Sequence, residues 1–144
     1  MFSKACEYGI KATIFVAKQS LEGKRTNLKE ISGAIASPEA YTAKILQSLV
    51  KNQIIYSTKG VNGGFEMDSQ QFKTLKLHTI VIAIDGSDLL TGCVLGLTEC
   101  SNKNPCPMHE KYLALKKHIG TILHNTSISE LVDGINFNFG VLKV

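Results

Sequence analysis

The sequence lacks the features that mark several common classes of protein. Its 144 residues contain no apolar run long enough to span a bilayer, and no basic-then-apolar leader precedes the first predicted helix. They also contain no Cys-x-x-Cys pair, no glycine-rich nucleotide-binding loop and no general-base constellation. We therefore expect a cytoplasmic protein that is not an enzyme and does not bind membranes.

The composition favours a single globular domain with an anionic partner. A hydrophobic content of 44% is ordinary, and 144 residues are enough for a substantial core. The formal net charge is +4 and the isoelectric point is near 8.9, which mildly favours a negatively charged partner. Much of the basic charge lies in one stretch, at Lys24, Arg25, Lys29, Lys44, Lys51 and Lys59.

Residues 26–51 show the pattern of two short helices joined by a tight turn. Asn27 can cap the first helix, and Glu30 can reach back to the cap amide, as in a capping box. Ser37 can cap the second helix, with Pro38 at its first position and Glu39 at the positive end of its dipole. Because so few residues separate the helices, they must cross steeply, which predicts a helix-turn-helix.

The second helix has an apolar face and a polar face. The apolar face predicts a set of buried side chains, namely Tyr41, Ile45, Leu46, Leu49 and Val50. The polar face predicts a set of exposed side chains, namely Thr42, Lys44, Gln47, Ser48 and Lys51. In a helix-turn-helix, the leading end of this helix enters the major groove of DNA.

A hairpin with a glycine-rich turn is predicted after the second helix. Residues 54–57 have the β-branched and aromatic content of a strand, and residues 65–67 can return as its partner. Residues 59–64 lie between them and supply positions that tolerate positive φ. Two capped helices, a short turn and this hairpin together predict a DNA-binding winged helix rather than another small α+β domain.

The rest of the chain is predicted to be mainly helical. Residues 4–22 form a first helix that ends at Gly23. Residues 78–84 form a buried helix or, because of their β-branched run, a strand. Residues 86–107 are rich in glycine, asparagine and proline, which predicts an irregular loop, and a loop of this length is uncommon unless it has a function.

A long helix from Met108 carries an apolar seam typical of a short coiled coil. Its members recur in steps of three and four residues, at Tyr112, Leu115, Ile119, Ile122 and Thr126, widened by Leu113 and Leu123. We expect this seam to form a dimer, with packing on its own domain as the alternative. A capping box at residues 127–130 opens a last short helix. The tail at residues 135–139 alternates apolar and polar residues and has no assigned function.

Three of the four cysteines lie in the predicted loop. Cys93, Cys100 and Cys106 are followed by His109, with the spacing Cys-x6-Cys-x5-Cys-x2-His. Soft thiolates select iron–sulfur clusters, zinc or copper(I), and the spacing alone does not choose among them. Structural zinc sites more often use Cys-x2–4-Cys knuckles, which this loop lacks. Three unligated thiols in a loop remain the alternative.

These motifs together resemble the Rrf2-type bacterial transcription regulators. The resemblance extends from the first helix to about Val132, and its motifs are Ser37-Pro38 ahead of Tyr41, the Lys59-Gly60-x-x-Gly63-Gly64-Phe65 wing, the Asp85-Gly86 stop and the three-cysteine loop. The resemblance implies a homodimeric winged-helix regulator that carries a two-iron or four-iron cluster on its cysteines.

The resemblance also implies two candidates for a fourth cluster ligand. His109 matches the histidine of IscR-like members, and Glu7 falls where NsrR-like members carry an acidic residue that reaches the partner subunit's cluster. We prefer His109, with Glu7 from the partner subunit as the alternative. The wing departs from the family pattern in carrying Lys59 for arginine and Val61-Asn62 for Pro-Gly, and lysine lacks the bidentate fork of arginine.

The sequence therefore predicts a mainly α fold with a small β-hairpin wing. Residues 1–86 form the winged helix-turn-helix, 87–107 the cysteine loop, and 108–144 the dimerisation helix and tail. The predicted function is a homodimeric regulator that binds double-stranded DNA and senses redox state, nitric oxide or iron–sulfur status. Its predicted DNA contacts are Ser37, Glu39, Tyr41, Thr42, Lys44, Lys51, Lys59 and Asn62. The alternatives are a cluster-free regulator that senses a small molecule and a small metal or redox protein.

Overall fold

The computed structural model describes residues 1–135, and the predicted tail lies almost entirely outside these described residues. Within them, eight helices accompany one two-stranded antiparallel sheet, which confirms the mainly helical fold with a hairpin. The elements in chain order are α1 (Lys4–Leu21), α2 (Leu28–Ile35), α3 (Glu39–Lys51), β1 (Tyr56–Thr58), β2 (Gly64–Glu66), α4 (Ser69–Thr74), α5 (Leu77–Asp85), α6 (Asp88–Thr91), α7 (His109–Asn125) and α8 (Ile128–Gly134).

The caps of the helix-turn-helix form as predicted at α2 but not at α3. The Asn27 side chain accepts the Glu30 N–H at 2.9 Å, and the Glu30 carboxylate accepts the Asn27 N–H at 2.9 Å. The predicted Ser37 cap is wrong, because Pro38 occupies the N-cap position of α3. Ala36 makes the turn in the left-handed conformation, with φ +52°, and the Ser37 hydroxyl is buried without a hydrogen-bond partner among the described residues.

The wing hairpin begins two residues later than predicted. Tyr56–Thr58 pairs with Gly64–Glu66, so that Ser57 faces Phe65. Ile54 and Ile55, predicted to open the first strand, are instead fully buried in the core. Because this pair is buried in the core, it does not pair with the second strand. The first strand begins instead at Tyr56, which is exposed.

A backbone bridge anchors the wing to the segment between α1 and α2. The Thr26 N–H donates to the Phe65 carbonyl at 3.1 Å, and the Phe65 N–H donates to the Thr26 carbonyl at 2.7 Å. Gly64 permits this close approach, since its φ is +140° and a Cβ there would lie 2.7 Å from the Thr26 carbonyl oxygen. The orientation of the wing is therefore fixed from the side of α1.

The main core surrounds α1 and is completed by the C-terminal helix. Its fully buried side chains come from α1, α2, α3, α5, α8 and the segment after α3, and include Val16, Ile31, Ile35, Leu46, Leu49, Ile54, Ile55, Ile80, Ile128 and Val132. Residues Leu77–Asp85 are helical, so the strand alternative for this stretch is wrong. The predicted capping box of α8 forms between Ser127 and Glu130.

The apolar seam of α7 is divided between its own domain and open surface. Leu123 is buried in a second apolar cluster with Cys6 and Val81, and Ile119 packs at its edge. In contrast, Leu115 is 46% and Ile122 is 49% exposed. Among residues 1–135, no helix combines the length and apolar character needed to cross a membrane.

The cysteine-bearing segment at residues 86–107 contains no buried residue. The sequence predicted it to be irregular, and the structure adds one short helix, α6. The Lys116 ammonium of α7 donates to the Gly92 carbonyl, which fastens the residue before Cys93 to the long helix. Leu89 and Leu90 of α6 also pack against the apolar cluster of Cys6, Val81 and Leu123, so the segment is held at its start by both polar and apolar contacts.

Candidate nucleic-acid interface and metal centre

The leading end of α3 is rotated relative to the face predicted from the sequence. Thr42, predicted to be exposed, is fully buried, and its hydroxyl donates to the Pro38 carbonyl at 2.9 Å. Tyr41, predicted to be buried, is 38% exposed and meets the Tyr8 ring of α1 edge to face, with centroids 5.9 Å apart. Because helix entry at Pro38 aligns Thr42 with the core, the buried face of α3 consists of Thr42, Ile45, Leu46 and Leu49.

This rotation changes the predicted set of DNA contacts. The Ser37 side chain is only 9% exposed and the Thr42 side chain is inside the core, so neither side chain faces solvent. The remaining predicted contacts are all exposed, and they are Glu39, Tyr41, Lys44, Lys51, Lys59 and Asn62. The prediction for Ser37 and Thr42 as side-chain contacts is incompatible with their burial.

The basic residues on α3 and the wing are available for contacts outside the protein. Ion pairs within residues 1–135 include Lys4–Glu7, Lys24–Glu22 and Arg25–Glu66, and these three do not use Lys44, Lys51 or Lys59. All three lysines are exposed, and Lys59 stands beside the wing turn next to the fully exposed Val61. Exposed lysines are groups that phosphate binding uses.

Arg25 has a structural role at the base of the wing. Its Nε lies 3.1 Å from a Glu66 carboxylate oxygen, and its Nη1 donates to the Asn62 carbonyl at 3.2 Å. The sequence indicated only a positive charge at this position. The guanidinium instead joins the segment before α2 to the wing turn and to β2, so Arg25 helps to position the wing.

The first helix contributes residues that the sequence analysis did not assign to this surface. Tyr8 meets Tyr41, and the Lys4 and Lys11 ammonium groups lie 5.4 Å and 5.7 Å from the Tyr8 ring centroid. Residues 4, 8 and 11 share one helix face because they are spaced by four and three residues. That spacing was visible in the sequence, but the proximity of this face to α3 depends on tertiary packing.

The three loop cysteines converge as the sequence predicted. The Sγ atoms of Cys93, Cys100 and Cys106 all lie within 4.8 Å of one another, and the Cys93 and Cys106 sulfurs are 3.7 Å apart. The His109 Nδ1 lies 3.2 Å from the Cys100 sulfur. Three thiols and an imidazole form a soft donor set that fits zinc or an iron–sulfur cluster.

The fourth-ligand candidates differ in their placement. His109 is the first residue of α7 and contacts the cysteine group directly through Cys100. Glu7 forms an ion pair with Lys4 at 3.0 Å on α1 and is not a member of the cysteine group of its own protomer. Within one chain, His109 is thus the candidate that contacts the cysteine group, through Cys100 alone.

The Cys93 and Cys100 thiols differ in their pKa, partly because of backbone hydrogen bonds. Hydrogen bonding from the Leu97 backbone, followed by that of Leu95, lowers the pKa of Cys93 to about 7 despite some desolvation. At Cys100 the Cys106 backbone also lowers the pKa, but desolvation and the neighbouring thiols of Cys106 and Cys93 outweigh it, so the pKa is raised. Cys93 therefore ionises more readily than Cys100 near neutral pH.

A cavity of about 410 Å³ adjoins the thiols between α6 and α7. Its walls combine the cysteine group with apolar and basic side chains, among them Leu90, Val94, Tyr112, Leu113 and Lys116. Pockets that take small ligands begin at roughly 300 Å³. The loop thus leaves room beside the thiols for a group larger than a single ion.

The comparison with known families identifies this combination of winged helix and cysteine loop. The Rrf2 family, described as "Iron-dependent Transcriptional regulator", matches residues 2–134. The chain belongs to the Rrf2 family. It is therefore a transcriptional regulator, and the expectation that it is not an enzyme is confirmed by its family.

Individual members of the family show the extent of the similarity. The HTH-type transcriptional regulator IscR of Yersinia pseudotuberculosis is 27% identical over 126 residues, which cover 88% of this chain and 75% of that protein. The structure of CymR, the global cysteine regulator of B. subtilis, superposes with a TM-score of 0.78 at 20% identity and covers 94% of this chain and 98% of its own. T. potens IscR gives a TM-score of 0.72 at 19% identity, with coverage of 92% and 86%. At these identities the two structures confirm the fold.

Proposed function

We propose that this regulator acts in the cytoplasm as a homodimer that binds double-stranded DNA with α3 in the major groove and the wing beside it. The observation that carries this proposal is the exposed leading end of α3, where Glu39, Tyr41 and Lys44 face solvent. Lys51 and Lys59 add phosphate contacts that position the protein without reading sequence. Ser37 and Thr42 are left out because their side chains are buried.

The exposed part of the α7 seam supports the proposed dimer. Leu115 and Ile122 are seven residues apart and therefore lie on one helix face, where about half of each side chain is uncovered. A two-fold partner would cover these side chains and present two copies of α3 to one palindromic site.

Lysine replacement combined with a salt titration tests the DNA interface. Anisotropy with a duplex from the region upstream of this gene should show that Lys44→Ala weakens binding about tenfold and lowers the salt slope by about two, one for each protomer. Lys73→Ala is the matched control, because Lys73 is exposed on α4 and α4 packs on α8 and α1 rather than on α3. Binding that is insensitive to salt, or equal effects of the two variants, would contradict the assignment.

We propose further that Cys93, Cys100, Cys106 and His109 hold an iron–sulfur cluster through which the regulator senses redox state, nitric oxide or iron–sulfur status. The donor set, the adjoining cavity and the family's description as iron-dependent support this assignment. When bound, the cluster would supply a centre that oxidants and nitric oxide can alter. Residues 86–107 connect α5 with α7, so a change in the loop is passed to the helix proposed to form the dimer.

A single zinc ion is the second candidate, and one distance favours it. With Zn–S bonds of about 2.3 Å, two sulfurs on one tetrahedral ion are about 3.8 Å apart. The observed separation of 3.7 Å between the Cys93 and Cys106 sulfurs matches that edge. Zinc would make the loop a structural element and would not by itself provide a redox sensor.

Metal and sulfide analysis on protein purified without oxygen separates these candidates. The cluster proposal predicts coloured protein that contains iron and acid-labile sulfide. Colourless protein with one zinc per chain would contradict the cluster and leave the DNA-binding proposal intact. Protein without stoichiometric metal would favour the cluster-free regulator, with the 410 Å³ cavity as its small-molecule site.

A further inference from the structure

The His109 imidazole is held between two different partners. On one side its Nδ1 lies 3.2 Å from the Cys100 sulfur. On the other side its Nε2 lies 2.9 Å from the Oδ1 of Asn102, a residue of the same loop. The backbone N–H of His109 also donates to the Cys106 carbonyl at 2.9 Å, which fixes the start of α7 against the third cysteine. Two contacts therefore orient the ring, and a third fixes the backbone that carries it.

The chemistry of these partners defines which ring nitrogen carries the proton. An amide oxygen is an acceptor only, so a bond from Nε2 to Asn102 Oδ1 requires a hydrogen on Nε2. A neutral imidazole has one N–H, and Nδ1 is then left with a free lone pair. That lone pair faces Cys100, on the side of the three thiols.

We propose that Asn102 is a positioning residue for His109, because its amide oxygen holds the imidazole in the Nε2–H tautomer and leaves Nδ1 as the metal-binding nitrogen. Metal-binding histidines commonly donate their second ring N–H to an outer acceptor, and loss of that acceptor typically weakens metal binding by 10–100-fold. The part of the proposal that concerns metal rests on the proposed cysteine–histidine centre. The tautomer itself is a property of the protein without metal.

A neutral acceptor suits this site electrostatically. Three cysteines that bind a metal as thiolates would concentrate negative charge at one point, since their sulfur atoms lie within 4.8 Å of one another. A carboxylate at position 102 would add a further negative charge, whereas an amide provides the acceptor without the charge. Asn102 thus orients His109 without adding a charge beside the cysteines.

Nitrogen-15 NMR of metal-free protein tests the tautomer directly. Long-range proton–nitrogen correlation at pH 8.5, with the His109 signals assigned by a His109→Gln variant, should show a protonated Nε2 and an unprotonated Nδ1. Asn102→Leu should convert this pattern to a mixture of tautomers, and Asn102→Asp, which keeps an oxygen acceptor, should retain it. An Nδ1–H tautomer in the wild type, or no change in Asn102→Leu, would overturn the proposal.

Asn104→Leu is the matched control for this experiment. Asn104 is an exposed asparagine in the same loop whose described hydrogen bonds are made by its backbone to Ser101, not by its side chain to His109. Replacing it should leave the His109 spectrum unchanged. An equal effect of the Asn102 and Asn104 variants would indicate a general disturbance of the loop and would also overturn the positioning role.

Iron retention provides the second measurement. Protein prepared anaerobically and challenged with an excess of a ferrous chelator should lose iron at least about tenfold faster in Asn102→Leu than in the wild type or Asn104→Leu. Pulsed EPR of the reduced wild type should show coupling to one imidazole nitrogen, and this coupling should weaken in Asn102→Leu. Wild-type protein that never contains iron would contradict the proposed cluster, while the NMR result would still decide the tautomer.

Discussion

The recognition helix and the cysteine loop of this protein are stabilised in opposite ways. The inner face of α3 contributes Leu46 and Leu49 to the core, where both are fully buried. Residues 86–107 contribute no buried side chain and are attached through contacts such as the one between Lys116 and Gly92. The α3 surface proposed to contact DNA is therefore supported from below by apolar burial, whereas the part of the loop that carries the cysteines has no such support.

The same contrast separates the cysteines. Cys6 lies in the core of the winged-helix body, and burial, together with the nearby Asp85 carboxylate, raises the pKa of its thiol to about 12. Cys93 lies in the loop, and backbone hydrogen bonds, chiefly that of Leu97, lower the pKa of its thiol to about 7. Cys6 therefore acts as a small apolar side chain, whereas Cys93 forms the reactive thiolate more readily.

The largest expected effect comes from removing one loop thiol. Cys100→Ala should abolish iron binding and visible absorption in protein prepared without oxygen, because two cysteines and a histidine do not complete the site. The metal-free variant should melt within about 2 °C of metal-free wild type, since the loop contributes no core. Iron analysis and calorimetry measure the two effects.

Cys6→Ala provides the reverse case. This variant should keep its iron and lose about 1–2 kcal/mol of unfolding free energy, because the sulfur is removed from a closed apolar cluster. If Cys6→Ala lost iron, or Cys100→Ala lost most of its stability, the division between the two regions would be wrong.

Matched leucine truncations measure the difference in packing. Leu46→Ala should lower the unfolding free energy by about 2–5 kcal/mol, because Leu46 is fully buried beneath the recognition helix. Leu97→Ala should change it by less than about 0.5 kcal/mol, because Leu97 is 52% exposed in the loop. Urea denaturation of metal-free protein gives both values, and similar losses for the two variants would refute the comparison.

Thiol alkylation sharpens the comparison chemically. In metal-free folded protein, iodoacetamide should modify Cys93 at a rate that rises up to about pH 7 to 8 and then levels off, as its pKa of about 7 requires. The rate at Cys100 should continue to rise at higher pH because its pKa is raised, and Cys6 should remain unmodified until the protein unfolds. Peptide mass spectrometry resolves the three sites, and equal pH profiles for Cys93 and Cys100 would contradict the proposed asymmetry.

The smallest expected effect concerns the turn of the helix-turn-helix. Ala36 has φ +52°, a conformation that costs an L-residue about 1–2 kcal/mol and costs glycine little. Ala36→Gly should therefore raise the unfolding free energy by up to about 1 kcal/mol without changing iron content. Gly33→Ala, at an open position inside α2, should also stabilise by a comparable amount through helix propensity, which provides a scale for the measurement.

Local signals in the sequence predicted most of the elements, but not the short helices α4 and α6 or the rotation of α3. The capping boxes at Asn27 and Ser127 depend on residues three positions apart, and both formed as predicted. The faces of Tyr41 and Thr42 were exchanged, because the rotation of α3 depends on how Pro38 enters the helix and on contact with Tyr8 of a distant segment. The spacing of residues along the chain gives no indication of the contact between Tyr41 and Tyr8.

The metal site shows the same limit at longer range. Spacing predicted that the three cysteines and His109 would act together, and their convergence agrees with that prediction. It gave no indication of Asn102 as a partner of His109, because an asparagine in a loop has many ordinary uses. The sequence indicated only that Arg25 is positively charged. Its bonds to Glu66 and Asn62 form only once the wing is folded.

The hydrogen bonds of Ser3 have a practical consequence for work on this protein. The Ser3 N–H donates to the Asp85 carboxylate at 2.9 Å, its hydroxyl bonds the same carboxylate, and its oxygen also caps α1 by accepting the Cys6 N–H at 3.0 Å. Asp85 is the last residue of α5 before the loop, and α1 carries the Tyr8 that touches α3. An affinity tag whose junction replaces Ser3 would therefore disturb both the start of the cysteine loop and the packing of α1 beside α3. The position of the tag should be varied in any binding assay.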